Sequence, residues 1–388
     1  MAFLIEMAMK RKIYFVLGEE SGDALGADLH AALKTQAEKQ GVEVEILGLA
    51  GQKLTKLGMR SLFDIEDIAV MGFSAVIGRL PTIVNRVRKT VSHIVETKPD
   101  LIVLIDSPDF THAVAKRVRK KLPDVPIINY VCPSVWAWRS GRAKKMKAWV
   151  DHVLAILPFE PNALKRLDGP PATYVGHGMA RQIEGFYRDG AKPKTPGVPI
   201  LLVLPGSRAS ELKRLLKDFE LAIEMLAKRG VEFKAVLPAV PHLKQQLTDA
   251  VSQWKTPVLI VDSADNDKTF STASAALAVS GTVSLQLALH HVPMILTYKL
   301  DPVARPLGFL IKPWSAALPN LVAGWPLVPE EFNEMVHPDR LARRLERLLT
   351  DTPERTAQLA GFDRIVDAMK TEVAPAEKAA TIILDHLK

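Results

Sequence analysis

Short apolar runs alternate with longer amphipathic stretches along the first half of the chain. The runs IYFVL near 13, VEVEIL near 42, DLIVLI near 100, PIINYV near 126, HVLAIL near 152 and ATYVG near 172 are rich in β-branched and aromatic residues. Such runs are typical of strands. Between them apolar residues return every three or four positions, which predicts helices with one packed face. Strand and helix in alternation predict an α/β fold built on a parallel sheet. The segment AKPKTPGVP, residues 191–199, concentrates Pro, Gly and Lys and reads as an exposed linker. Beyond it the alternation restarts with PILLVL, EFKAVL, PVLIV, AALAV and PMILTY, and after about residue 338 the pattern is wholly helical. The two halves do not repeat one another in sequence, so their likeness is architectural. The expected organisation is one domain over 1–190, a second over 191–360, and C-terminal helices over 361–388. Three courses are open to that tail: capping the second domain, returning to the first, or exchanging between the subunits of a homodimer.

Composition narrows the partners. With 388 residues, 48% hydrophobic and 24% charged, the chain can bury a sizeable core and is neither disordered nor fibrous. A formal charge of +8 invites an anionic partner: nucleic acid, a phosphorylated small molecule or an acidic membrane surface. The single cysteine, Cys132, excludes an intrachain disulfide and any cysteine-clustered metal site, and suits a small buried side chain. The first apolar run is short, contains Glu6 and is followed by Lys10, Arg11 and Lys12, so no secretory signal is read there. No run approaches the ~20 apolar residues that span a bilayer, and membrane contact is expected to be peripheral. Residues 79–98 place Ile83, Val84, Val87, Val91, Ile94 and Val95 at helical spacing, beside Arg79, Arg86, Arg88 and Lys89. That pattern fits a basic interfacial helix or a core-facing one.

In open parallel sheets ligands gather where strands end and helices begin, so those loops carry the candidate chemistry. GEESGDALG follows the first strand: Gly18 and Gly22 allow a tight turn, Ser21 or Asp23 can cap the next helix, and Glu19 has no structural need to be there, a solvated loop carboxylate being the alternative. Asp106 ends the LIVLI run, a good seat for a general base, while capping by Asp106 or Asp109 of a helix beginning near Thr111 is the structural alternative. VCPSVWAWRSGRAKKMKAW interleaves Trp136, Trp138 and Trp149 with Arg139, Arg142, Lys144, Lys145 and Lys147. Stacking on nucleic acid would use such a set, but no RRM or helix-turn-helix pattern surrounds it, and a solvated basic face or a pocket for one phosphate fits better. In the second half Gly206, Ser207 and Arg208 of LPGSRASEL form an anion-binding turn, and Ser280, Gly281, Thr282 and Ser284 of SGTVSLQLAL offer donors at another helix start. Two such loops in one domain point to a nucleotide diphosphate; two well-capped helices are the alternative.

Taken together, GEESGDALGADL, VMGFSAVIGRLP, LIDSPDF, YVCPSVWAWRSGRAKKMK, VLAILPFEP, YVGHG, LPGSRASEL, SGTVSLQLAL, VPMILTY and LPNLVAG resemble the lipid-A-disaccharide synthase family, glycosyltransferases of GT-B architecture. The resemblance implies two Rossmann-like α/β domains with an inter-domain cleft and a helical C-terminal tail. It implies transfer of 2,3-diacylglucosamine from UDP to the 6-hydroxyl of 2,3-diacylglucosamine 1-phosphate, at the cytoplasmic face of the inner membrane, with no nucleic acid partner. By resemblance Asp106 is the general base, Glu19 and Asn320 are further functional polar positions, and Arg208 lies near the donor phosphates. Gly206, Ser207, Ser280, Gly281, Thr282 and Gln286 complete the expected donor set. Trp136, Trp138 and Arg139, with the apolar residues Val70, Met71, Phe73, Val76 and Ile77, are assigned to the acceptor and the membrane. No Asp-x-Asp signature stands out, and neither a metal nor another cofactor is expected. The chain departs from the family at Gln286, where a glutamate suited to the donor ribose is usual, and at Gly178, Arg181 and Ala317. Gln286 keeps open a non-catalytic UDP-sugar or lipid-binding homologue. Another GT-B enzyme, a lipid-linked N-acetylglucosamine transferase or a UDP-sugar epimerase, is opposed by PSVWAWR and LPNLVAG.

Overall fold

The computed structural model describes residues 10–68, 73–137, 140–188, 197–300 and 314–387, the side chains of 73–78 excepted. The chain forms two α/β units, one comprising residues up to His177 together with Thr371–Lys388, the other Gly178–Lys370.

The first unit runs β1 (Lys10–Leu17), α1 (Glu20–Lys39), β2 (Glu43–Gly48), α2 (Gln52–Lys56), α3 (Phe73–Thr97), β3 (Leu101–Ile105), α4 (Pro108–Val118), β4 (Ile127–Tyr130), α5 (Gly141–Met146), β5 (His152–Ala155), α6 (Glu160–Arg166) and β6 (Ala172–Tyr174). All strands pair in parallel in the order β2-β1-β3-β4-β5-β6. Ile13 to Leu17 and all of β3 are buried, as expected of strands covered by helices on both faces.

The second unit runs α7 (Gly178–Arg188), β7 (Ile200–Leu204), α8 (Ala209–Lys228), β8 (Lys234–Ala239), α9 (Lys244–Val251), β9 (Val258–Asp262), α10 (Asn266–Thr272), β10 (Ala275–Val279), α11 (Thr282–Leu289), β11 (Met294–Tyr298), α12 (Leu318–Ala323), β12 (Glu330–Phe332), α13 (Pro338–Leu349) and α14 (Pro353–Met369). Its parallel sheet has the order β12-β11-β10-β7-β8-β9. Numbered from β7, this is the Rossmann order, whereas the first sheet begins in the flavodoxin manner. Each order reverses direction once, between β1 and β3 in one sheet and between β7 and β10 in the other.

The units divide at 177/178, ahead of the 190/191 boundary expected from the linker. Helix α7 precedes the linker yet bonds to the second unit: Gln182 Nε2 donates to Asp267 Oδ2 at 2.9 Å, and the Tyr187 hydroxyl lies 2.9 Å from His290 Nδ1. The tail divides as well. Gln358 of α14 pairs with both backbone groups of Met294, so α14 stays with the second unit. The last helix, α15 (Pro375–Asp385), packs on α1, where Gln36 donates to the Glu377 carbonyl and accepts from Thr381, each at 2.8 Å. Gly176, at φ +104, has the returning chain against it: a Cβ there would lie 2.8 Å from Thr371 Cγ2.

Candidate functional site

In the first unit the loops after β1 and β3 meet at the point where strand order reverses, the place such sheets present ligands. Asp106 and Ser107 both have left-handed backbones, φ 55 and 42, which non-glycine residues seldom adopt. The turn is held by Asp106 N–H to the Tyr130 carbonyl at 3.1 Å and by the Thr111 hydroxyl to the Asp106 carbonyl at 3.0 Å. Gly18 accommodates it, since a Cβ there would sit 2.9 Å from Ser107 Cβ. Ser21 Oγ donates to Asp106 Oδ2 at 2.9 Å, and Oδ1 has no partner among the described residues. Glu19 occupies the N-cap of α1 with an exposed side chain that makes no capping bond. The two carboxylates expected in this unit therefore share one rim.

Neither Ser21 nor Asp23 caps α1, contrary to expectation. Asp23 points across to α2 and caps that helix instead: Oδ1 accepts from Gly51 N at 2.8 Å and Leu54 N at 3.2 Å, and Oδ2 from Lys53 N at 2.7 Å. Nor do Asp106 and Asp109 cap a helix at Thr111. Helix α4 begins at Pro108 with Ser107 at its N-cap, and Asp109 pairs with Arg142 at 3.1 Å.

In the second unit a cavity of about 380 Å³ opens between the ends of β7 and β10, again at the reversal. Gly206, Ser207, Arg208, Ser280, Gly281, Thr282 and Gln286 all line it, with Asn266 and Glu211. Its two helix N-termini differ. At α8, Glu211 folds back so that its carboxylate accepts from Ser207 N at 3.0 Å and Arg208 N at 3.3 Å, and pairs with the Arg208 guanidinium at 3.3 Å. Gly206, at φ +115, is what lets Glu211 in: a Cβ there would be 2.3 Å from its Oε2. At α11 no side chain caps the helix, and the N–H groups of Gly281, Thr282 and Val283 have no acceptor among the described residues. Ser280 is spent internally, its N–H on Thr297 O and its hydroxyl on Ala316 O. An anion in this cavity thus meets the start of α11 and the largely exposed guanidinium of Arg208. The backbone of the α8 turn is already occupied.

Asn320 stands outside the cavity lining. It is buried, with Nδ2 donating to Val328 O at 2.9 Å and Glu330 Oε2 at 3.1 Å, while Oδ1 accepts from Val328 N at 2.7 Å. Glu330, which sequence reasoning missed, also takes the Ser315 hydroxyl and Ala316 N–H, and so anchors the segment that meets Ser280. Trp136 turns inward: Nε1 donates to Glu160 Oε1 at 3.1 Å and its ring packs edge-on against Phe159. Glu160 is buried, and burial pushes its carboxyl up to about 7 against the bonds from Leu157, Trp136 and Ile156. Trp138, Arg139, Val70 and Met71 lie outside the described residues; Phe73, Val76 and Ile77 fall in α3, their side chains outside the description. Two basic groups of α3 turn to the protein itself, Arg86 pairing with Asp67 over Phe63 and Lys89 donating to Leu62 O, while Arg88 is exposed; Val87, Val91 and Ile94 are buried. From Ile83 onwards that helix is core-facing. In the basic run after Trp138, Lys144 and Lys147 pair with Asp168.

Two parallel α/β units, each with one reversal of strand order, make up the GT-B fold, and solved structures share it. The kitacinnamycin glycotransferase superposes with a TM-score of 0.62 at 16% identity, over 98% of this chain and 100% of that one. The Methanocaldococcus jannaschii UDP-GlcNAc 2-epimerase gives 0.53 at 14% identity, over 97% of this chain and 100% of that one. Sequence similarity is narrower: the family model described as lipid-A-disaccharide synthetase matches residues 13–384. The lipid-A-disaccharide synthase of Rhodopseudomonas palustris (strain HaA2) is 45% identical over 97% of this chain and 97% of its own. The chain belongs to the lipid-A-disaccharide synthase family, glycosyltransferases of lipid A biosynthesis.

Proposed function

We propose that the chain joins UDP-2,3-diacylglucosamine to 2,3-diacylglucosamine 1-phosphate, releasing UDP and the β-1′,6-linked disaccharide 1-phosphate with inversion at the anomeric carbon. The observation that carries this reading is the Asp106 turn, strained, fixed by Ser21 and set beside Glu19 at the strand-order reversal. A sugar hydroxyl is a poor nucleophile, and a carboxylate within ~3 Å takes its proton as the new bond forms. Asp106 Oδ1 is the oxygen free to do so. The departing UDP gathers negative charge, which the open start of α11 and Arg208 stabilise. Asn320, its amide fully engaged, acts as a positioning residue for the 315–320 segment. Trp136 likewise acts as a positioning residue, its ring and Nε1 held by Phe159 and Glu160.

Both substrates carry acyl chains, which brings the reaction to a membrane surface, the cytoplasmic face of the inner membrane. No helix among the described residues is long and apolar enough to cross a bilayer. Leu80, 53% exposed on α3, extends the apolar set Val70, Met71, Phe73, Val76 and Ile77 proposed to meet lipid.

The test supplies purified protein with both acylated substrates and measures disaccharide and UDP. Asp106→Asn is expected to lower turnover at least ~100-fold with the fold intact, since asparagine tolerates a left-handed backbone. Near-normal turnover in that variant removes Asp106 as the base, and donor binding without product in the parent protein overturns the enzymatic reading.

A further inference from the structure

One wall of the second unit's cavity carries an acceptor that no described residue uses. Gln286 lines the cavity from α11, and its Nε2 donates to Asp267 Oδ1 at 3.0 Å. His290, one turn along the same helix, bonds through Nε2 to the same oxygen at 3.0 Å, and Gln182 donates to Oδ2 at 2.9 Å. Burial opposes ionisation of Asp267, yet the bonds from His290, Gln286 and Gln182 outweigh it and hold the carboxyl below its usual range. An ionised carboxylate only accepts, so the amide nitrogen of Gln286 must face Asp267 and its oxygen must face away. By the same reasoning His290 carries its proton on Nε2, and Nδ1 accepts from the Tyr187 hydroxyl, 2.9 Å away. The network is oriented from end to end. It leaves Gln286 Oε1 without a partner among the described residues. Asn266 lines the same cavity, but its Oδ1, without a partner among the described residues, is buried and closed to a ligand. Such a wall suits a ligand that brings hydroxyl donors.

We propose that Asp267 is a positioning residue of the donor site, fixing the Gln286 amide so that Oε1 accepts a ribose hydroxyl of the donor nucleotide. The inference rests on the donor-site reading above and deepens it. It also accounts for the residue type at 286. A glutamate in the same pose would set a second carboxylate oxygen where the amide nitrogen now lies, 3.0 Å from Asp267 Oδ1. Two ionised oxygens at that distance repel. The negative charge stands instead at Asp267, behind an acceptor that is neutral.

Calorimetric titration of the full chain with UDP, 2′-deoxy-UDP and 3′-deoxy-UDP tests this. The parent protein is expected to favour UDP about tenfold or more over at least one deoxy analogue. Gln286→Ala brings that ratio close to one. Asp267→Asn lets the amide turn and also lowers the ratio, whereas a merely structural role would weaken all three ligands alike. Gln286→Glu weakens UDP at least about tenfold, and adding Asp267→Asn to it restores most of the loss. The inference is overturned if Gln286→Glu binds UDP as tightly as the parent, or if Asp267→Asn keeps the full ratio. Arg208→Ala separates the two readings. Should it leave UDP affinity unchanged, the donor site itself is misplaced and the inference falls with it. Should it weaken UDP while positions 267 and 286 act independently, only the inference falls.

Discussion

Replacing Asp23 by alanine removes a carboxylate that is 2% exposed and accepts three backbone N–H groups at the start of α2. A hydrogen bond to a charged group contributes about 1.5–3 kcal/mol net, and a buried donor left without a partner costs about 1–3 kcal/mol. The Leu54 N–H is buried and meets that full cost, while those of Gly51 and Lys53 are partly exposed and can turn to water. The loss is therefore set chiefly by one orphaned donor and one lost cap, and comes to ~3 kcal/mol for Asp23→Ala. Asp23→Asn keeps one acceptor oxygen and is expected to cost roughly half as much, with its NH₂ set against one backbone donor. Urea unfolding followed by fluorescence, in a background where Trp254, Trp314 and Trp325 of the second unit are replaced by phenylalanine, reads the first unit. Hydrogen exchange at Leu54 and its neighbours shows whether α2 opens locally. An alanine variant within ~0.5 kcal/mol of the parent, with α2 amides still protected, would refute the capping role. So would an asparagine variant as costly as alanine.

Glu160, pushed up to about 7 from an ordinary 4.5, binds a proton in the folded state over a window where the unfolded chain has lost it. Stability of the first unit is thus expected to fall by about 1.4 kcal/mol per pH unit as pH rises from 4.5 towards 7 and to level off above, ~3 kcal/mol in all. Glu160→Gln removes that slope at the expense of one bond among the three donors; urea midpoints against pH that fall in parallel for both proteins would contradict this. Gly206→Ala puts a Cβ 2.3 Å from Glu211 Oε2 on a backbone at φ +115, so UDP affinity should drop at least about tenfold by calorimetry. Unchanged affinity would detach the α8 turn from the donor site.

The elements that carry their own hydrophobic signal were legible in the chain, and those defined by a partner were not. Each apolar run from IYFVL to PMILTY became a strand: inner strands such as β3 and β10 are buried throughout and apolar over five residues, whereas the outer strands β2 and β9 keep apolar runs though partly exposed. The strand β12 is Glu-Glu-Phe, and only its pairing with β11 makes it one. Capping followed the same division. Ser21 and Asp23 looked like caps of their own helix, as short polar side chains at a helix start usually are. The free helix start nearest Asp23 in space belongs to α2, so that carboxylate went there. Candidate site residues were found loop by loop, but which loops meet depends on strand order, a non-local property. Ser21 and Asp106 are 85 residues apart and touch because β3, not β2, completes the reversal beside β1. The same holds for the loops after β7 and β10, which share a cavity although two other strands intervene in the chain. Gln286 read alone is a family glutamate lost. Beside Asp267, 19 residues earlier in the chain, its amide is bonded to a carboxylate, and that pairing exists only once α10 and α11 are packed together.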